Sequence, residues 1–398
     1  MITAVKRLAP WINGLLAYLV WRVGGMLASR RRRDEGPVTG RVCVIQINSL
    51  GDVLMVTPLL RALIETLGSG RVDVVVSKRS APLLQTFPGL GTPIRLESGF
   101  SWRRPSSILA FTWVVRTMRR GRYDAVLDTS RLIQSAWMTF LSRPNRGIGF
   151  RLPRQLGPVQ VERLDYLYTD EVEVDPSVHM IHQNLALLSP LGIPAQSDRM
   201  EFTPTALDSH ATTTWLATRG LTPDHSFAVV HPGAKWPPKR WSAERFRDLA
   251  QRLQASGLDV ILVGDTGDRQ LLQVVAGGLT PSPHVLAGDL GIGSVGVLIQ
   301  RARLFVGNDS GLMHLASAVG TPVLGLFGPT YPDRTGPLNS AGKGVVKPIA
   351  CRPCRLYFTR DRCERGHNYC MDLIEVDEVW EAAKFLLVHA AAAQSTIK

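Results

Sequence analysis

Chemistry in this chain concentrates in three stretches where an apolar run gives way to glycine and polar side chains. The first, Asn48-Ser49-Leu50-Gly51-Asp52, sets a flexible glycine and a carboxylate at a helix start. Asp52 suits a general base, provided it reaches the hydroxyl it deprotonates. Aspartate also caps helices at this position, and spacing alone leaves both roles open. The second stretch, His231-Pro232-Gly233-Ala234-Lys235-Trp236-Pro237-Pro238-Lys239-Arg240-Trp241, brings three cations to a strand-end loop. Lys235, Lys239 and Arg240 suit a diphosphate and could neutralise charge building on a departing nucleotide. A solvated basic loop is the plainer reading. The third is Gly307-Asn308-Asp309-Ser310-Gly311-Leu312-Met313-His314, where amides at a helix N-terminus can hold phosphate. Asp309 cannot bind phosphate itself but suits sugar hydroxyls or the fixing of the loop. His314 reads equally as a packed histidine or a ligand.

Two further patterns need weighing. Gly291-Ile292-Gly293-Ser294-Val295-Gly296 matches the dinucleotide fingerprint by letter, yet it sits late in its series instead of opening the first βα turn. The match reads as coincidence, and a nicotinamide-dependent oxidoreductase stays as a lesser rival, which failure to bind NAD while binding ADP would dispose of. Cys351, Cys354, Cys363 and Cys370, with His367 between the last two, begin with the CxxC spacing of a zinc knuckle and continue irregularly. A structural zinc, buried free thiols and a redox-labile pair all stay open, and none is given a catalytic role. Five cysteines, four of them crowded together, argue against a secreted disulfide framework and for a reducing compartment.

These residues need elements to hold them. From Arg41 onward, short apolar runs alternate with amphipathic stretches, the pattern of βα units around a parallel sheet. In a first series, Arg41–Ile47, Val72–Ser77 and Ala125–Asp128 read as strands, Leu50–Leu67 as a loop and helix containing Pro58, and Ser106–Arg120 and Leu132–Leu141 as helical. Regularity fails from about Val161 to Thr222, a proline-bearing linker with one helix near His182–Leu191. In a second series, Phe227–His231, Asp259–Val263, Leu304–Val306 and Pro322–Phe327 read as strands. The helix Ser242–Ala255 can be capped by Ser242. The class is α/β, with two doubly wound Rossmann-like halves facing one cleft, and ligands are expected beyond the carboxyl ends of the strands. The expected division is an N-terminal extension at 1–40, an acceptor-side domain with linker at 41–222, a nucleotide-sugar domain at 223–345, and a cysteine-containing tail with a C-terminal helix at 346–398.

The whole chain of 398 residues carries a formal net charge of +13, which favours an anionic partner. No nucleic-acid reader motif accompanies that charge, and no nucleic acid is expected. Trp11–Ser29 is largely apolar, interrupted by Arg22 and followed by Arg30, Arg31, Arg32 and Arg33. A helix lying in the headgroup region of a membrane fits this composition, and a docking helix on the protein is the alternative. The expected location is cytoplasmic, peripheral at the inner face of a bacterial inner membrane.

Taken together, the Asn48–Asp52 motif, the His231-Pro232-Gly233 loop ending in Lys239-Arg240-Trp241, and Asn308–His314 resemble the ADP-heptose:lipopolysaccharide heptosyltransferase family. The resemblance runs from about Arg41 to Val379, takes in Ala316, Gly320-Thr321-Pro322 and Phe327-Gly328-Pro329-Thr330, and ends in a tail, Cys370-Met371, like that of many members. It implies a GT-B fold and an inverting transfer that requires no metal or other cofactor. It further implies a nucleotide-diphosphate donor such as ADP-heptose, and an acceptor in the lipopolysaccharide core or a related anionic glycolipid. Asp52 matches the family's proposed base, Lys239 its diphosphate-contacting lysine and Asp309 its donor-sugar acid. Asp268 lies near where the family often has a glutamate that contacts the ribose. The expected donor-binding set is Gly51, His231, Gly233, Lys235, Arg240, Asp268, Asp309, Ser310, Gly311 and His314. Competing readings are a transferase of the same fold with another donor, a nucleotide-sugar epimerase, and a noncatalytic glycan-binding protein.

Overall fold

Val42–Gln46 (β1) is buried at every position, as a parallel strand covered by helices on both faces must be. In the computed structural model, which describes residues 36, 38–97, 104–151, 154–156, 159–161, 167–222, 225–338, 341–352, 354, 363 and 366–395, the chain forms two compact units, Met1–Asp198 and Arg199–Lys398.

In the first unit β1 leads into two helices, Leu50–Leu54 (α1) and Thr57–Leu67 (α2), where the sequence suggests one loop and helix. Pro58 opens α2 at a position whose N–H would be unsatisfied anyway. Val72–Ser77 (β2), Pro93–Leu96 (β3), Pro105–Gly121 (α3), Ala125–Asp128 (β4), Ile133–Ser142 (α4) and Arg146–Phe150 (β5) follow. Then come an antiparallel hairpin of Arg154–Leu156 (β6) and Val159–Val161 (β7), Asp170–Val172 (β8) and Met180–Ala186 (α5). The main sheet has the order β3-β2-β1-β4-β5-β8 and every pairing is parallel. Cys43, Ile45, Val75 and Val126 pack beneath Val114, Val115 and Met118 of α3. Asp73 is buried among these valines because Arg41, the Tyr123 hydroxyl and the Thr92 amide all donate to its carboxylate, the partnering a buried charge requires.

The second unit begins with Ala206–Ala217 (α6), which lies within the region read from sequence as a linker. The Thr212 hydroxyl donates to the Ser294 carbonyl at 2.7 Å, and Ser294 donates to Asp208 at 3.1 Å, so α6 is fixed to this unit's own helical layer. Phe227–His231 (β9), Ala243–Ala255 (α7), Asp259–Gly264 (β10), Arg269–Ala276 (α8), His284–Ala287 (β11) and Ile292–Arg301 (α9) come next. Leu304–Asn308 (β12), Gly311–Ala318 (α10), Val323–Phe327 (β13), Pro332–Thr335 (α11) and Gly342–Val346 (β14) complete the sheet, whose order is β11-β10-β9-β12-β13-β14, again all parallel. Tyr369–Asp372 (α12) and Val376–Ser395 (α13) bring Met371, Ile374, Val379, Ala383 and Leu386 into the same core as Val230, Leu262 and Leu324. The tail is therefore structural.

Both sheets reverse direction at one point, between β1 and β4 and between β9 and β12, the place where doubly wound folds bind ligands. Gly291–Gly296, the fingerprint set aside above, lies at the start of α9 and within it. Among the described residues no helix is long and apolar enough to cross a membrane. Trp11–Ser29 and Arg30–Arg33, where a membrane-surface helix is expected, lie outside the described residues.

Candidate active site

The second unit gathers most of the expected residues at its switch point. β9 ends at His231 and β12 at Asn308, adjacent parallel strands whose following loops must lie side by side. A Cβ on Gly307 would meet the His231 carbonyl at 2.9 Å, so this approach requires glycine. Asn308 clamps the loops: its amide donates to the Pro232 carbonyl at 2.8 Å, and its Oδ1 accepts from the Trp241 amide at 3.1 Å. These bonds join residues that are remote in sequence, and no role for Asn308 was legible there.

Lys239 and Asp309 meet within this clamp. The ammonium stands 2.5 Å from Asp309 Oδ2, which also accepts from the Thr330 hydroxyl at 2.6 Å. Burial alone would raise the Asp309 carboxyl, but the Lys239 charge, His314 and the two hydrogen bonds hold it below the usual carboxylate range. Asp309 is thus an ionised acceptor. Lys239 keeps two further N–H donors and lies 5.0 Å from the centre of the Trp236 ring. Beside it α10 starts at Gly311, with no side-chain cap from Ser310. The amides of its first turn are therefore uncapped donors, and Ser310 Oγ, shielded from solvent, has no hydrogen-bond partner among the described residues. Cation, amides and hydroxyl together present the kind of donors that an anion takes. His314 is buried one turn further on.

A second group lines the loops after β9 and β10. His231 Nδ1 lies 2.7 Å from the Val263 carbonyl, which can only accept, so Nδ1 carries the proton and Nε2 remains an acceptor. Burial pushes this imidazole below its ordinary range. Asp268 accepts from the Asp265 amide at 3.3 Å and lies 3.7 Å from Arg240. A Cβ on Gly233 would meet Asp268 Oδ2 at 2.7 Å and His231 Cε1 at 2.9 Å, so this glycine lets the two loops touch. Lys235 is exposed and bonds to no described residue.

Gly51 and Asp52 belong to the first unit. Asp52 is the third residue of α1, and its Oδ2 accepts from the Ser49 amide at 3.0 Å and the Ser49 hydroxyl at 2.6 Å. The capping geometry is therefore present, while Oδ1 accepts from no described residue. The loop before it is stitched across the switch point, since Ser130 Oγ accepts from the Ile47 amide and the Ser130 carbonyl accepts from Asn48, each at 3.0 Å. Sequence reading missed the neighbouring Asp128, a buried carboxylate that accepts from Ser135, Tyr168 and the Ser130 amide.

A family model for glycosyltransferase family 9 (heptosyltransferase) matches residues 112–363, from α3 through both switch-point loops of the second unit and into the cysteine tail. The chain belongs to glycosyltransferase family 9. Lipopolysaccharide heptosyltransferase 3 of Escherichia coli is 25% identical over 290 residues, covering 70% of this chain and 81% of that protein. Lipopolysaccharide heptosyltransferase 2 of E. coli K12 is 25% identical over 363 residues, covering 88% and 100%. Among solved structures, a family 9 glycosyltransferase from Veillonella parvula superimposes with a TM-score of 0.74 at 20% identity, covering 89% of this chain and all of that one. E. coli ADP-heptose heptosyltransferase II gives 0.68 at 22%, covering 88% and 99%. The chain is a glycosyltransferase with the two-sheet α/β GT-B fold, in a family of lipopolysaccharide-core heptosyltransferases.

In this family 9 chain the four tail cysteines and His367 line one cavity behind the Thr330 loop, together with Pro329 and Arg352. Arg352 donates to the Thr330 carbonyl, and the Cys354 amide to that of Pro329 at 3.3 Å. None of the four is in a disulfide, and burial, with the neighbouring Cys351 and Cys363, pushes Cys370 up to about 11. As they lie, no three His, Cys, Asp or Glu side chains among the described residues stand close enough to hold a metal ion.

Proposed function

We propose that this enzyme is an inverting transferase moving heptose from ADP-heptose onto a lipopolysaccharide-core or related glycolipid acceptor, at the cytoplasmic face of a bacterial inner membrane. The observation that carries the reading is the Lys239–Asp309–Thr330 cluster beside the open amides of α10. The donor assignment is supported by E. coli heptosyltransferase WaaC, which has been solved with ADP and with ADP-2-deoxy-2-fluoro heptose.

In this account Asp52 takes the proton of an acceptor hydroxyl. The oxygen attacks the anomeric carbon opposite the diphosphate, the bond from that carbon to the diphosphate oxygen breaks, and ADP departs with the electron pair. Lys239, Arg240 and the α10 amides meet the growing negative charge, in a site already shaped for it. Asp309, held ionised, accepts hydrogen bonds from donor-sugar hydroxyls and aims Lys239. Asp268 and His231 Nε2 face the nucleoside as acceptors, and Gly233 gives the room. The cap made by Asp52 and its role as base are compatible, because the cap uses Oδ2 and leaves Oδ1.

Proton NMR of the product tests this reading: the new glycosidic bond should have the anomeric configuration opposite to that of the donor. Asp52→Asn should keep donor affinity and lose turnover by roughly 10²–10⁴-fold. Retained configuration, or full turnover by the variant, would reject the single displacement or its base.

A further inference from the structure

Helix α3 has two unlike faces. Ser107, Val114, Val115 and Met118 are buried, the last three against the first sheet. At about 100° per residue, Leu109, Trp113, Arg116 and Arg120 fall within roughly 60° of one another on the opposite side. Leu109 is 69% exposed and Trp113 54%, among the most exposed large apolar side chains described in the chain. Arg116 and Arg120 are exposed beside them. The helix contains no acidic residue. Arg119 is turned down to the Leu141 carbonyl and does not share this stripe.

We infer that this stripe is a docking surface for an anionic lipid bilayer. Leucine and tryptophan in the open side of a helix are costly in water and suit the boundary between headgroups and acyl chains. Arginines along the same line, with no acid between them, meet lipid phosphates, each adding attraction within a Debye length of the surface. The stripe is about 16 Å long, so the helix lies along the membrane plane. Being on a folded helix, it adds a contact separate from any made by the N-terminal segment. It deepens the proposed function, since an enzyme serving a glycolipid gains by resting on the bilayer that holds it, and it rests on that reading only for its biological purpose.

The test uses the full chain without donor or acceptor, so its failure is separable from failure of the transfer reaction. Vesicles of phosphatidylglycerol and phosphatidylcholine carrying a diazirine lipid are irradiated with the protein, and adducts are mapped by mass spectrometry. Adducts are expected on the peptide containing Leu109 and Trp113 with phosphatidylglycerol vesicles, fading in high salt. Leu109→Ser with Trp113→Ala should remove them and lower the partition coefficient by about tenfold, while ADP binding stays unchanged. Adducts confined to other peptides, or equal on purely phosphatidylcholine vesicles, would overturn the proposal. So would a dimer abolished by the same double variant without lipid labelling, which would assign the stripe to a second copy.

Discussion

At the residue scale, Lys239 and Asp309 depend on each other. Removing one leaves the other's charge buried with a fraction of its partners, a loss of roughly 3 kcal/mol where side-chain exposure is only 15% and 6%. Lys239→Ala should therefore lower the melting temperature as well as raise the donor KM and reduce turnover by about 10²-fold or more. A variant that lost activity alone would show that the pair does not stabilise the fold. His231 gives a pH signature. Its folded pKa lies below the ordinary 6.5, so near that pH the unfolded chain binds more protons than the folded one. Stability present above this window is lost as pH falls through it, and His231→Gln should flatten that slope in melting curves taken between about pH 5.5 and 7.5. Part of this was legible: Lys239 and Asp309 announce themselves by type and motif. The individual bonds of Thr330 and Asn308 did not, because they join loops brought together by parallel strands.

At the element scale, the switch-point loops work because glycine lets them close. Gly233→Ala places a methyl carbon against Asp268 and His231, so the loops after β9 and β10 must separate. Calorimetry should register weaker ADP binding by the variant, with helix content by circular dichroism unchanged; unaltered binding would mean the loops give way without cost. Strands rich in valine, such as β2, were readable as sequence. Arg146–Phe150 was not, since it spends two of its five positions on glycine and opens on an arginine whose charge is matched by buried Asp170. Asp170–Val172 is only three residues long, too short for a period to register.

At the scale of the whole molecule, each unit repeats one strand order, and the second is completed by the chain's C-terminal part. The Trp241 indole donates to the Ile374 carbonyl at 2.9 Å, tying the cationic loop to the tail. Ending the chain before Tyr369 would strip α12 and α13 from a core that also holds Val230 and Leu324. Such a truncation should lose the cooperative melt of the second unit, and an intact melt would show the tail to be an accessory. The doubly wound class was legible from the alternation of apolar runs. The allegiance of α6 was not, because it rests on hydroxyl bonds from Thr212 and Ser294 across more than eighty residues.

The proposed reaction is transfer of heptose from ADP-heptose to a glycolipid. Release of ADP by the purified full-length enzyme, followed with and without a lipopolysaccharide-core acceptor, tests it most directly. Release should depend on acceptor and vanish in Asp52→Ala. Release at the same rate without acceptor, or none from ADP-heptose alongside rapid turnover of another nucleotide sugar, would contradict it.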